Sequence, residues 1–153
     1  MLIKMVIKVA VSSERKPDRI SWGIMLFGNG APYSHIYFVL DGRMYHADDK
    51  GVCDDDYTEF LKDHYEIASK EVTFNCTPEF FKEWHNKLKL TQVPYSMGQY
   101  MGFVLPWFKS WFANGRKKAI CSEYVAWGLF DLADREEFME AEFKTPAQVF
   151  EAI

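Results

Sequence analysis

The sequence predicts a single domain of the α+β class, spanning residues 1–153, in which an antiparallel sheet packs against helices. Both strand-like and helix-like segments are present, and no internal repeat or low-complexity segment separates them. The clearest strand signal is Asp41-Gly42, a two-residue turn between segments rich in β-branched and aromatic residues. The clearest helix signals are the capping patterns Thr77-Pro78-Glu79 and Thr145-Pro146-Ala147-Gln148.

The elements follow in chain order from these patterns. Four segments have the residue types of strands: 2–11, 34–40, 43–48 and 65–74. Five segments have helical spacing or a helix start: 55–64, 77–90, 97–105, 121–132 and the segment after Thr145. Residues 12–19 are predicted to form a polar loop, and residues 20–28 fit either a short helix or a strand.

Composition limits the function classes. The chain has 48% hydrophobic and 17% aromatic residues, so it can build a core without disulfides. Its three cysteines lack CxxC spacing, which argues against a disulfide framework or a thiolate zinc site. Twenty-two acidic and 18 basic residues give a net charge of −4, and no basic stripe is present. We therefore expect no nucleic-acid partner.

Targeting signals are also not expected. Lys4 and Lys8 interrupt the apolar amino terminus, so the sequence predicts no secretory signal and synthesis in a cytosol. Residues 90–108 carry no charge but contain Gln, Gly and Pro, which favours a buried helix and an aromatic loop over a spanning helix. The alternative is an interfacial or acyl-chain-binding surface formed by Trp107, Phe108, Trp111 and Phe112.

Cys121 is the candidate nucleophile because it lies where a predicted helix begins. The positive end of the helix dipole, with Lys117 or Lys118 nearby, is expected to lower the pKa of its thiol. Ile120 is a poor cap, which leaves amide donors of the first turn for an oxyanion. The alternative is that Cys121 is a small buried hydrophobic residue.

His35 is the candidate base. A two-residue turn at Asp41-Gly42 pairs residue 37 with 46 and residue 35 with 48, so His35, His46 and Asp48 share one face of the hairpin. One imidazole could accept the thiol proton while a second polar group orients it. The alternative is that these residues only form the polar face of an edge hairpin.

The other polar candidates are expected to be structural. His64 is predicted to cap a helix and His85 to be a hydrogen-bonded core histidine, while Cys53 and Cys76 are interpreted as packing residues. The acidic run 54–56 lacks the alternating ligands of a calcium loop and is interpreted as a solvated helix start. No HExxH or paired-cysteine spacing supports a metal site of His35, His46, Cys53 and Asp48, so no metal or other cofactor is expected.

Three motifs resemble those of a known family. They are Tyr33-Ser34-His35 with the strand and turn that follow to Gly42, Tyr45-His46-Ala47, and Cys121-Ser122-Glu123-Tyr124-Val125. Their order resembles the circularly permuted NlpC/P60 proteins of the papain-like cysteine peptidase superfamily, in which the histidine strand precedes the cysteine helix. Val93-Pro94-Tyr95-Ser96 is similar to the "PYD" stretch of that branch, although Ser96 replaces the aspartate. The resemblance extends from about residue 20 to the last helix.

The resemblance implies a papain-like fold and assigns roles. Cys121 would be the nucleophile, His35 the base and His46 the third polar residue, with Asp48 as its rival. The amide of Cys121 and Tyr95 would stabilise the oxyanion. Many bacterial members have glutamate in the third place, whereas lecithin retinol acyltransferase-like members have histidine.

The implied activity is that of a cysteine peptidase or amidase acting on peptides, with cell-wall peptides as the first expectation. One alternative is a lipid-directed thioesterase or acyltransferase. Another is a non-catalytic binding module of a bacterial or phage assembly. For any of these functions, the alternatives to a cytosolic location are association with a virion and delivery to the cell envelope.

Overall fold

The computed structural model describes residues 3–16, 32–48, 50–91, 120–139 and 144–153. Several predictions lie outside these residues. They are the element at 20–28, the helix at 97–105, Tyr95, the lysines at 117 and 118, and the aromatic loop at 107–112.

The sheet has five antiparallel strands in the order β4-β3-β2-β1-β5. The strands are β1 (Met5–Glu14), β2 (His35–Leu40), β3 (Arg43–Asp48), β4 (Gly51–Asp56) and β5 (His64–Phe74). The predicted α+β class with an antiparallel sheet is confirmed. The loop predicted from residue 12 is wrong at its start, because Ser12–Glu14 continue β1 past a bulge and pair with β5.

The described residues form four α-helices. They are α1 (Tyr57–Asp63), α2 (Pro78–Thr91), α3 (Cys121–Ala133) and α4 (Pro146–Ala152), with a 3₁₀ turn at Glu136–Phe138. The predicted caps are confirmed. Thr77 Oγ1 accepts a hydrogen bond from the Phe80 amide at 3.2 Å, and Thr145 and Gln148 form a reciprocal capping box.

The β2–β3 hairpin has the predicted two-residue turn. Asp41 and Gly42 have φ values of 51° and 74°, the left-handed conformation at both central positions that matches the twist of a tight hairpin. Phe38 pairs with Tyr45 and Leu40 with Arg43, which confirms the predicted register over this part of the hairpin.

Strand β4 is absent from the sequence-based prediction. It pairs with β3, and Cys53 lies opposite His46 in the antiparallel register. The acidic run was expected to begin a helix, but Asp54 and Asp55 belong to β4 and only Asp56 caps α1, accepting from the Glu59 amide at 3.0 Å. Acidic residues disfavour strands, and here they are stabilised by basic partners on neighbouring elements.

Both faces of β2 are covered. Ile36 and Phe38 point to the face where α3 packs, and the Phe38 ring makes edge contacts with Phe74 and Tyr124. Tyr37, which alternates with them, joins a smaller cluster on the other face, under Phe60 of α1. Successive side chains at the start of β2 therefore point alternately into the core beneath α3 and into the smaller cluster beneath α1.

Candidate active site

His35 is the first residue of β2, and its side chain lies on the same face of the sheet as that of Tyr37. Its half-buried imidazole lies near the rings of Tyr37 and Phe60, with centroid separations of 5.7 and 6.1 Å. These contacts limit the movement of the ring. The face is the one that α1 covers, opposite to the face that contacts α3.

A chain of hydrogen bonds crosses three neighbouring strands from His35. Its Nε2 lies 2.9 Å from Nδ1 of His46 on β3, and Nε2 of His46 lies 2.8 Å from Oδ2 of Asp55 on β4. An ionised Asp55 only accepts, so Nε2 of His46 donates to it; in the tautomer that completes the chain, Nδ1 of His46 accepts from Nε2 of His35. Within the described residues His35 Nδ1 has no hydrogen-bond partner. It is the nitrogen that this arrangement leaves unprotonated.

The structure thus brings together His35 and His46, as the predicted register implies. Asp48 does not bond to His35 in the described part of the chain, since its Oδ1 accepts from the Lys50 amide at 2.7 Å in the β3–β4 turn. Sequence reasoning missed Asp55. Its pKa is lowered, mainly by the hydrogen bond from His46.

Cys121 begins α3, as predicted. Ile120 supplies no side-chain cap, and the Glu123 carboxylate reaches back to the Ile120 amide at 3.3 Å. The Cys121 sulfur lies 4.0 Å from the carbonyl oxygen of Ser34 and also accepts from the backbone amide of Ile36. The thiol therefore contacts the backbone on both sides of His35.

The expected contact between imidazole and sulfur is not formed among the described residues. The Cys121 side chain belongs to the core cluster on the α3 face, whereas alternation along β2 directs His35 to the other face. Cys121 is only 7% exposed, so the structure does not place the sulfur in an open cleft. The two groups share one end of β2 without a hydrogen bond between them.

The prediction of a lowered thiol pKa is also wrong. Burial raises the pKa of Cys121 to about 11, although the backbone amides of Ile36, Ser122 and Cys121 itself oppose the increase. Burial also holds the pKa of His35 well below its ordinary value, and the nearby His46 and His64 lower it further. Thiol and imidazole are therefore both neutral in this state.

Two structural interpretations are confirmed. His64 follows α1 and its Nδ1 lies 3.2 Å from the Phe60 carbonyl oxygen, as expected of a cap. His85 is 1% exposed and its Nδ1 accepts from the Tyr124 hydroxyl at 2.8 Å, as expected of a core histidine. Cys76 is buried, but Cys53 does more than pack, because its sulfur lies 3.3 Å from His46 Nε2.

Searches of protein-family models, curated proteins and solved structures found no match to this chain. The resemblance to permuted NlpC/P60 proteins therefore depends on the short motifs around His35, His46 and Cys121. Among the described helices, none has the length and apolar character needed to cross a membrane.

Proposed function

We propose that the protein is a cysteine hydrolase that cleaves an amide bond through an acyl-enzyme at Cys121. The observation that carries this proposal is the hydrogen-bonded chain Asp55–His46–His35, beside which the Cys121 sulfur lies near the backbone of Ser34. The tautomer assigned above leaves His35 Nδ1 without a proton, so this nitrogen can act as the base. The motif resemblance supports the same assignment and favours peptides, cell-wall peptides first, as substrates.

The proposed reaction begins as the Cys121 sulfur attacks the carbonyl carbon while its proton moves to His35 Nδ1. His46 and Asp55 stabilise the imidazolium that results. The carbon–nitrogen bond then breaks, and His35 returns the proton to the departing amine. Water attacks the thioester with His35 again as the base, which releases the carboxylic acid and restores the thiol.

The reaction requires Sγ and Nδ1 to come within hydrogen-bond distance. Catalytic hydrogen bonds that are long or absent in a ligand-free enzyme often form only in the substrate complex. We expect substrate binding at the end of β2 to bring the two groups together. A neutral Cys121 thiol and a neutral His35 imidazole are compatible with substrate binding before proton transfer, because the thiolate would form only when a substrate carbonyl is in place.

The first turn of α3 supplies donors for the oxyanion. The amide of Cys121 is in that turn, and Ile120 contributes no side-chain acceptor that would compete for it. The resemblance adds the hydroxyl of Tyr95 as a second donor.

A second candidate function is a lipid-directed thioesterase or acyltransferase. It is favoured by the contact between His46 and His35, because histidine is the third residue of the lecithin retinol acyltransferase-like proteins. The acyl-enzyme chemistry is the same, and the substrate carbonyl belongs to an ester. The aromatic segment 107–112 would then provide the acyl-chain surface.

The experiment compares wild-type protein with Cys121→Ala on two substrates, a peptidoglycan stem peptide and a short-chain acyl ester, with peptide mass spectrometry of the cysteines. We expect hydrolysis and a transient acyl adduct on Cys121, both lost in Cys121→Ala. Cys76→Ala is the matched control, since Cys76 is also a buried free thiol. Preference for the ester selects the second candidate. No adduct and no hydrolysis of either substrate would leave a non-catalytic module and refute the proposal.

A further inference from the structure

A second cluster of reactive side chains lies on the α1-covered face, at the β3–β4 hairpin. The cluster consists of His46, Asp48 and Cys53. His46 and Cys53 are directly opposite in the antiparallel register, and Asp48 is two residues along β3 on the same face. Strand pairing therefore fixes a nitrogen, a sulfur and a carboxylate next to one another.

The separations suit a single metal ion. One donor atom from each of the three residues lies within 4.8 Å of the others, and His46 Nε2 is 3.3 Å from the Cys53 sulfur. Nitrogen and sulfur ligands at the usual zinc distances lie about 3.5 Å apart across a tetrahedral angle. The distance between His46 Nε2 and Cys53 Sγ would have to increase only slightly to reach that value.

The chemistry of the donors selects the ion. Imidazole, thiolate and carboxylate together are typical ligands of zinc and similar transition metals, whereas calcium and magnesium prefer oxygen alone. His46 is 4% exposed, while Asp48 and Cys53 are half-buried, so two of the three ligands are accessible to solvent. The carboxylates of Asp48 and Asp55 both lie beside this cluster, and their negative charge favours a cation here.

The geometry points to a binding site for a divalent transition metal of the zinc class, formed by His46 Nε2, Cys53 Sγ and a carboxylate oxygen of Asp48. Three protein ligands leave the fourth tetrahedral position for water. The site has no linear motif because its ligands meet through cross-strand pairing. For that reason the sequence predicts no metal.

His46 belongs to both this site and the proposed catalytic chain. A metal on Nε2 would displace the proton that His46 donates to Asp55. The imidazole of His46 would then take up a proton at Nδ1, reversing its hydrogen bond so that Nδ1 donates to His35 Nε2. The proton of a neutral His35 then lies on Nδ1, the nitrogen needed as the base. This consequence rests on the proposed function: metal binding would inhibit acylation of Cys121.

The first experiment uses the full native chain. ZnCl₂ is added, the thiols are alkylated with iodoacetamide, and the rate at each cysteine is read by peptide mass spectrometry. We expect Zn²⁺ to slow alkylation of Cys53 more than tenfold and to leave Cys76 unchanged. Equal rates at Cys53 with and without Zn²⁺, or protection confined to Cys121, would overturn the metal site.

A second experiment does not depend on catalysis. Cys121→Ala protein is titrated with Co²⁺, and we expect an absorption band from thiolate-to-cobalt charge transfer that Cys53→Ser removes and Cys76→Ser retains. Asp48→Asn removes a direct ligand and is expected to weaken binding by at least the roughly 10- to 100-fold that loss of an outer-shell partner costs. Asp63→Asn, a control on an exposed helix end, is expected to leave binding unchanged. A band that survives Cys53→Ser would contradict the assignment.

The inhibitory consequence has its own measurement. The rate of acyl-adduct formation at Cys121 is compared with and without Zn²⁺, in wild type and in Cys53→Ser. We expect Zn²⁺ to lower the rate in wild type only. An unaffected wild-type rate, with Co²⁺ still bound to Cys121→Ala protein, would overturn the coupling through His46. Absence of any adduct without metal would instead count against the proposed function.

Discussion

Neutralising either of two adjacent carboxylates on β4 should affect a different property of the protein. Asp55 lies on the face of His46, and its Oδ2 ends the proposed catalytic chain. Asp54 points to the other face, where it bonds Arg43, Lys89 and His85. We predict that Asp55→Asn lowers the acylation rate of Cys121 with little loss of stability, whereas Asp54→Asn lowers stability and leaves the rate unchanged.

The expected rate loss follows from the contact that Asp55 makes. A hydrogen bond to a charged acceptor contributes about 1.5–3 kcal/mol. The Asp55 side chain is 58% exposed, so water competes and the lower end applies. A loss of about 1.4 kcal/mol corresponds to a rate roughly tenfold lower. Asparagine can also donate to His46, which would allow the opposite tautomer and remove the base.

The expected stability loss follows from the partners of Asp54. Its side chain is 19% exposed and accepts from Arg43 Nη2 at 2.5 Å and from Lys89 Nζ at 2.8 Å. Burial acts to raise the pKa of Asp54, but the hydrogen bonds from Lys89 and Arg43 together outweigh it and lower the pKa. Asparagine removes the charge but keeps an acceptor, so a cost of about 1–2 kcal/mol is expected.

The assays are urea unfolding for stability and mass spectrometry of the acyl adduct for the rate. Asp55→Glu provides a further control, because it keeps the acceptor and should retain more of the rate than Asp55→Asn. Equal rate losses in Asp54→Asn and Asp55→Asn would refute the assignment of Asp55 as a positioning residue. So would an Asp55→Asn protein that acylates at the wild-type rate.

Three further predictions concern stability. Gly128→Ala should cost about 1–3 kcal/mol in urea unfolding, because the new Cβ would lie 2.7 Å from the buried Phe38 ring, and Phe38→Leu in the same chain should recover part of the loss. Burial lowers the pKa of His85 from 6.5 to about 4, so its neutral form contributes stability above pH 6.5 that is lost as the pH falls towards 4. Over this pH range, the free energy of unfolding of His85→Gln should fall by up to about 3 kcal/mol less than that of the wild type. An unchanged pH dependence of stability would contradict the lowered pKa of His85. Thr145→Ala should cost about 1 kcal/mol, measured the same way, while Thr145→Ser should not.

Local signals were enough to predict the β2–β3 hairpin and its consequences. Asp-Gly specifies a two-residue turn, the turn specifies the register, and the register brings His35 and His46 together. Strand β4 could not be predicted in the same way. Only Val52 and Cys53 in it are apolar, and its stability comes from partners such as Arg43 that sequence alone does not place.

The same limit applies to the site. A helix start at Cys121 is visible in the sequence, because a polar segment changes to helical apolar spacing at that residue. Burial is not visible, and here it outweighs the helix terminus in setting the thiol pKa. Asp55 could be found only once β4 was known, since its role depends on sharing a face with His46.

Strand alternation at the start of β2 explains the state of the site. The sulfur contacts the backbone of Ser34 and Ile36, and the residue between them is His35, whose side chain points to the other face. A thiolate on one face and an imidazolium on the other could not stabilise each other, so burial keeps both groups neutral. If Cys121 and His35 act together as proposed, activation requires a local change at this end of the strand rather than a shift of the whole sheet. In that proposal the Asp55–His46 pair holds the tautomer of His35 that can accept the thiol proton until the change occurs.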